Sequence, residues 1–95
     1  VTSGVLNEEE AREVASIFDA LSDPVRLRIL SLIAADQEVC SCNLEEPVGK
    51  SQPTISHHTR VLASAGLITG EKRGRWTYWR IVPGRLDQVA ALLRT

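Results

Sequence analysis

Ninety-five residues make a single domain, 1–95, small enough that its core is marginal and a partner subunit would add to it. At 43% hydrophobic and 24% charged the chain reads as soluble and globular; it shows neither an apolar run long enough to span a membrane nor a positive–apolar–small leader. The net charge of −1 hides an asymmetry: residues 1–49 hold ten acids against Arg12, Arg26 and Arg28, a balance of −7, while residues 50–80 hold Lys50, Arg60, Lys72, Arg73, Arg75 and Arg80 against Glu71, a balance of +5.

One cationic face on an acidic body suits an anionic partner and limits indiscriminate binding to polyanions. The chain opens on Val1 rather than Met, which leaves room for residues ahead of it. Residues 1–6 read as a frayed lead-in. Asn7 before Glu8-Glu9-Glu10 is a helix start, an amide cap with carboxylates at the positive end of the macrodipole. Val14, Ile17, Phe18 and Leu21 then form a stripe at helical period. Asp23-Pro24 caps a second helix, which Leu27, Ile29, Leu30, Leu32 and Ile33 make apolar round most of its circumference. This is the expected central core helix, with Arg26 and Arg28 at its exposed margin and its end near Ala35.

A short third helix is expected from Cys40 through Glu46, capped near Ser41, with Gly49 free to take the positive φ of the turn that follows. Ser51 then caps a fourth helix, with Pro53 tolerated in its first turn. Ile55, Thr59 and Leu62 share its inner face, and Gln52, Ser56, His57 and Arg60 lie away from it. Two helices joined by a short Gly-containing turn form a helix-turn-helix with the second as reading helix. Hydroxyls, an amide, an imidazole and a guanidinium are a donor and acceptor set that reads base edges. The candidates for base or nearby phosphate contact are Ser51, Gln52, Thr54, Ser56 and His57, with His58 packed beneath the helix.

After Gly66 the period changes to that of strands. Residues 67–72 and 75–81 read as a hairpin round Arg73-Gly74, tipped by Lys72, Arg73 and Arg75. With Lys50 and Arg60 these supply backbone attraction, while Trp76, Tyr78 and Trp79 read as packing residues. Pro83 opens a last helix with Leu86, Val89, Ala90 and Leu93 at helical period. The fold class is mainly α with a β-hairpin, a winged helix-turn-helix in the order α-α-α-α-β-β-α. Apolar stripes on the first and last helices are the expected two-fold interface, through Val14, Ile17, Phe18, Leu86, Val89, Ala90 and Leu93. No nucleophile–base pair, phosphate loop or carboxylate constellation points to an enzyme.

With these elements placed, the chain resembles the ArsR/SmtB family of winged-helix metal-sensing repressors. Asp23-Pro24-Val25-Arg26-Leu27-Arg28-Ile29-Leu30 resembles its second-helix signature, Ser51-Gln52-Pro53-Thr54-Ile55-Ser56-His57-His58 its reading helix, and Gly74-Arg75-Trp76-Thr77-Tyr78-Trp79 its wing. Thr59 stands where the family usually has leucine; its hydroxyl is expected to bond the i−4 carbonyl at a modest stability cost. Glu38-Val39-Cys40-Ser41-Cys42-Asn43-Leu44 resembles the family's third-helix inducer motif, with Asn43 in place of an aspartate. The resemblance implies a cytoplasmic homodimer on palindromic double-stranded operator DNA, released by arsenite, or by cadmium or lead, at Cys40 and Cys42.

Residues i and i+2 diverge by about 200° on a regular helix, so the two sulfurs converge only at a helix start with Cys40 extended. The ring a disulfide would close is strained and the chain reads as cytosolic, so the pair is expected reduced. A third ligand is not evident: some arsenic sensors of the family add a cysteine where Glu45 stands, and residues 1–39 contain none. The family's other site, on the last helix, lacks its donors, since residues 83–95 hold only Asp87. Two alternatives remain: the same repressor switched by oxidants or sulfur species, and a winged-helix interaction module that never touches DNA.

Overall fold

The computed structural model describes residues 5–94, so residues 1–4 of the lead-in and Thr95 fall outside the described residues. Asn7 opens helix α1, Glu8–Leu21, with a capping box: its side chain accepts the Glu10 N–H, and the Glu10 carboxylate accepts the Asn7 N–H. Asp23 caps α2, Pro24–Ala35, its Oδ1 accepting from the Val25 and Arg26 N–H groups. Burial pushes the Asp23 carboxyl up, but those N–H groups and the nearby Arg26 charge outweigh it and hold it below the usual range. Helix α2 is central as expected, with Ile29 and Ile33 wholly excluded from solvent beside Ile17, Leu44, Ile55 and Leu62.

Arg26 departs from expectation. Rather than lining an exposed margin, its Nε donates to the Ala20 carbonyl at 2.7 Å and its Nη2 to that of Asp19 at 3.3 Å. A half-buried guanidinium thus closes the carbonyl end of α1, which ends without a basic side chain of its own.

The expected helix from Cys40 to Glu46 is divided. Val39–Cys40 forms a short strand β1, Ser41–Asn43 a 3-10 turn, and Glu45–Val48 a one-turn helix α3. The reason lies in the wing. The other strands are β2, Ile68–Arg73, and β3, Trp76–Ile81; β1 pairs antiparallel with β3, Val39 opposite Trp79 and Cys40 opposite Tyr78. Backbone pairing on the open edge of β3 outweighs the start of a helix too short to be stable alone. The hairpin is therefore part of a three-stranded sheet in the order β1-β3-β2.

Gly49, at φ 73°, ends α3 in the left-handed conformation and leads into α4, Gln52–Ser64, completing the helix-turn-helix. The wing closes with Arg73 opposite Trp76 and Gly74 at φ 65°. Helix α5, Arg85–Leu93, starts two residues after Pro83, behind Gly84. Two residues expected at a dimer interface, Ile17 and Val89, are buried in the chain's own core. Each lies on the inward side of its helix, whereas Phe18, Leu86, Ala90 and Leu93 stay exposed and Val14 half-buried.

Candidate nucleic-acid interface and sulfur turn

Helix α4 is seated by Ile55, Thr59 and Leu62, all buried, which leaves Ser56, His57 and Arg60 exposed and Thr54 half-buried. Thr59 satisfies its hydroxyl as expected, donating to the Ile55 carbonyl at 3.0 Å and the Ser56 carbonyl at 3.2 Å. Ser51 does not cap. It stands at the N-cap position, but its hydroxyl donates to Thr54 Oγ1 at 3.4 Å and bonds no backbone N–H. The first turn of α4 is thus left with N–H groups that no side chain caps, at the end of the macrodipole that attracts anions.

Gln52 also differs from expectation. It is half-buried and turned away from the outer face: its Nε2 donates to the Ser41 carbonyl at 2.7 Å. His58 packs beneath the helix as expected, its Nδ1 3.3 Å from Nη1 of Arg26. A guanidinium only donates, so Nδ1 must accept, and the ring is neutral with its proton on Nε2. Burial holds His58 below its ordinary pKa, and the Arg26 charge adds to this against the opposing pull of Asp23.

The wing carries its charge less freely than its sequence implies. Lys72 and Arg75 are exposed, with Arg75 5.3 Å from the ring centre of Trp76. Arg73 is clamped: Nη1 and Nη2 donate to the two Glu38 oxygens at 2.8 Å each, Glu71 accepts as well, and Tyr78 lies 4.5 Å beneath. The clamp, with Arg80 3.6 Å away, holds the Glu38 carboxyl below the usual carboxylate range and Arg73 firmly protonated. Sequence reasoning missed Glu38 as an anchor of the wing; the strand pairing that carries it there is invisible until β1 is known. Gly70 seats the inner side, since a Cβ there would come within 2.7 Å of Thr77 and the Trp79 ring.

Between helix and wing lies the sulfur turn. Cys40 is extended, at φ −68° and ψ 137°, and Cys42 sits in the 3-10 turn that follows. This brings the sulfurs together, as a helix-start geometry requires. They are joined as a disulfide across Cα atoms 5.1 Å apart, which overturns the expectation of a reduced pair. The physical reason is the division of the expected helix: strand followed by 3-10 turn sends both side chains to one side. Cys40 is buried and Cys42 half-buried. Among the described residues no cluster of three His, Cys, Asp or Glu side chains forms a metal site, so Glu45 does not complete one.

A family profile described as "Bacterial regulatory protein, arsR family" matches residues 23–69, from the cap of α2 into β2. The chain is 39% identical over 85 residues to an uncharacterized HTH-type transcriptional regulator of Methanocaldococcus jannaschii, covering 90% of this chain and 96% of that protein. This chain belongs to the ArsR family. An arsenic resistance transcriptional regulator of Pseudomonas putida is 37% identical over 82% of the chain, which spans only 61% of that protein's length. In structure the chain is similar to a homodimeric winged helix-turn-helix DNA-binding domain from Mycobacterium bovis, with TM-score 0.74, 27% identity, and coverage of 94% and 84% of the two chains. The ArsR family consists of transcriptional regulators, and the winged helix-turn-helix expected from the sequence is the fold observed. Among the described residues no helix is long and apolar enough to cross a membrane.

Proposed function

We propose that this ArsR-family protein is a homodimeric repressor that binds a pseudo-palindromic operator and releases it when a thiophilic ion, arsenite first, joins Cys40 and Cys42. One observation carries this reading: an extended Cys40 and a 3-10 Cys42 bring both sulfurs together on a turn bonded to the reading helix, so that reduction leaves two soft donors side by side. Ser51, Thr54, Ser56 and His57 face the DNA, and Lys50, Arg60, Lys72 and Arg75 supply phosphate attraction. Gln52 serves the protein first, and Arg73 is shared with Glu38. Val14, Phe18, Leu86, Ala90 and Leu93 form the two-fold interface, whose symmetry matches a palindrome.

The donor set suits arsenite in part. Two thiolates replace two of its hydroxyls, each departing as water with a thiol proton, and the third position is open to a ligand from beyond this turn. Cadmium or lead are the next candidates. Cys40→Ser with Cys42→Ser leaves operator binding intact and abolishes release of the reduced protein's operator complex by arsenite, read by fluorescence anisotropy. Release that persists in the double variant removes the cysteines from the sensing role.

A second reading is favoured by the disulfide itself: the repressor is switched by oxidation of the pair. A hydroperoxide closes the bond by taking two electrons and two protons from the thiols, giving an alcohol (water, for hydrogen peroxide) and water. Release by peroxide and not by arsenite selects this reading.

A further inference from the structure

We propose that Gln52 is the positioning residue that carries the state of the Cys40–Cys42 pair to the reading helix. The inference rests on the reading above and names its regulatory link. Ser41 lies between the two cysteines and is buried, so its carbonyl is part of the short ring that the disulfide closes and is the backbone group next to any change in how the sulfurs are joined. That carbonyl accepts a 2.7 Å bond from Gln52, the first residue of α4.

Among the described residues no other side-chain hydrogen bond ties that end of α4 to the rest of the fold: Ser51 provides no cap, Pro53 has no N–H, and Thr54 is engaged with Ser51. The seats of α4 in the core begin only at Ile55. A shift of the sulfur turn is therefore delivered to the first turn, which carries Thr54 and the uncapped N–H groups. On the far side the same turn is held by β1 against β3 and by Glu38 against Arg73, so movement on that side is resisted. The compliant side is Gln52.

The test uses Gln52→Met, which keeps the length of the side chain and removes its donor. Operator affinity of the reduced full chain is measured with and without arsenite, and arsenite binding is followed separately by thiolate absorption. In the wild type arsenite weakens operator binding by about tenfold or more, within the usual range of allosteric coupling. In Gln52→Met it weakens binding by less than about twofold, although arsenite still binds. Equal release in both proteins overturns the role of Gln52 and leaves the cysteine reading standing.

No release in the wild type despite bound arsenite overturns the cysteine reading instead. Gln52 is then judged by amide hydrogen exchange without DNA, the measurement that also decides if Gln52→Met fails to bind operator. A phosphine reduces the disulfide, giving up two electrons and taking its oxide oxygen from water, whose protons fill the thiols. Protection of the Thr54–Ser56 amides then changes in the wild type, while in Gln52→Met the change stays within residues 39–44. An identical response at residues 54–56 in both proteins, or none in either, overturns the proposal.

Discussion

The reading helix and the wing are built on opposite plans. Helix α4 is fixed by its inner face, where Ile55 and Leu62 are wholly buried, and its outer face bears side chains with few internal commitments. The wing is fixed on both faces: Glu38 holds Arg73 and Arg80 on the charged one, and on the inner one Trp79 lies over Gly70 and packs against the core. One element keeps its polar groups for a partner; the other spends part of its charge on its own position. Sequence counts both as basic DNA-facing segments, and only the pairing of β1 with β3 separates them.

The largest expected effect tests the helix side. Ile55→Ala deletes a wholly buried side chain at the junction of α4 with the core and lowers stability by about 3 kcal/mol, measured by urea denaturation. On the wing side, Gly70→Ala drives a Cβ into the Trp79 ring and Thr77 and lowers stability by about 1–3 kcal/mol. If Gly70→Ala is the more damaging of the two, the inner face of the wing and not the seat of α4 is the tighter packed.

A second effect concerns how much wing charge reaches DNA. Arg75→Ala weakens binding to all sequences and makes the dependence of log affinity on log salt shallower by roughly one unit. Arg73→Ala changes the slope by less, because its guanidinium is already paired with Glu38 and Glu71. Glu38→Gln then acts in the opposite direction, releasing Arg73 and steepening the slope. Equal losses from Arg73→Ala and Arg75→Ala, with Glu38→Gln silent, mean that the clamp opens fully on DNA and that the contrast holds only for the unbound protein.

Much of the fold was legible because it rests on local rules. The Asn7 box, the Asp23-Pro24 start, the Gly49 turn and the periodicity of α4 are each written within a few residues. What was hidden depends on residues far apart in the chain. Val39 and Cys40 join the sheet only because β3, some forty residues on, presents an open edge. Ser51 and Gln52 had the right residue types for cap and reader, yet a carbonyl from the sulfur turn claimed the amide. Ile17 and Val89 matched the interface stripe because periodicity gives a face and not what covers it. Convergence of Cys40 and Cys42 was readable from the helix-start geometry; their bond was not, since the strand and 3-10 turn that bring the sulfurs within bonding reach depend on the distant edge of β3.

The smallest effect is the most local, and it joins α4 to α1 and α2. His58 accepts from Arg26, which itself closes the end of α1, so protonating the ring sets two cations against each other. Its folded pKa lies below the ordinary 6.5, so the neutral form is the one the fold favours. The stability it contributes is complete above pH 6.5 and is lost as pH falls from there through the depressed folded value. Asp23 and Glu38 also titrate below their ordinary values of 3.8 and 4.5, so their contributions are lost only in more acid solution and do not overlap this window. Urea denaturation between pH 7.5 and 5.5 therefore shows a falling midpoint for the wild type and a flatter one for His58→Gln. Parallel curves assign the acid sensitivity to another group and leave the Arg26–His58 contact as packing alone. A difference confined to that window makes the seat of the reading helix sensitive to mild acid, whereas the Glu38 clamp on the wing stays closed.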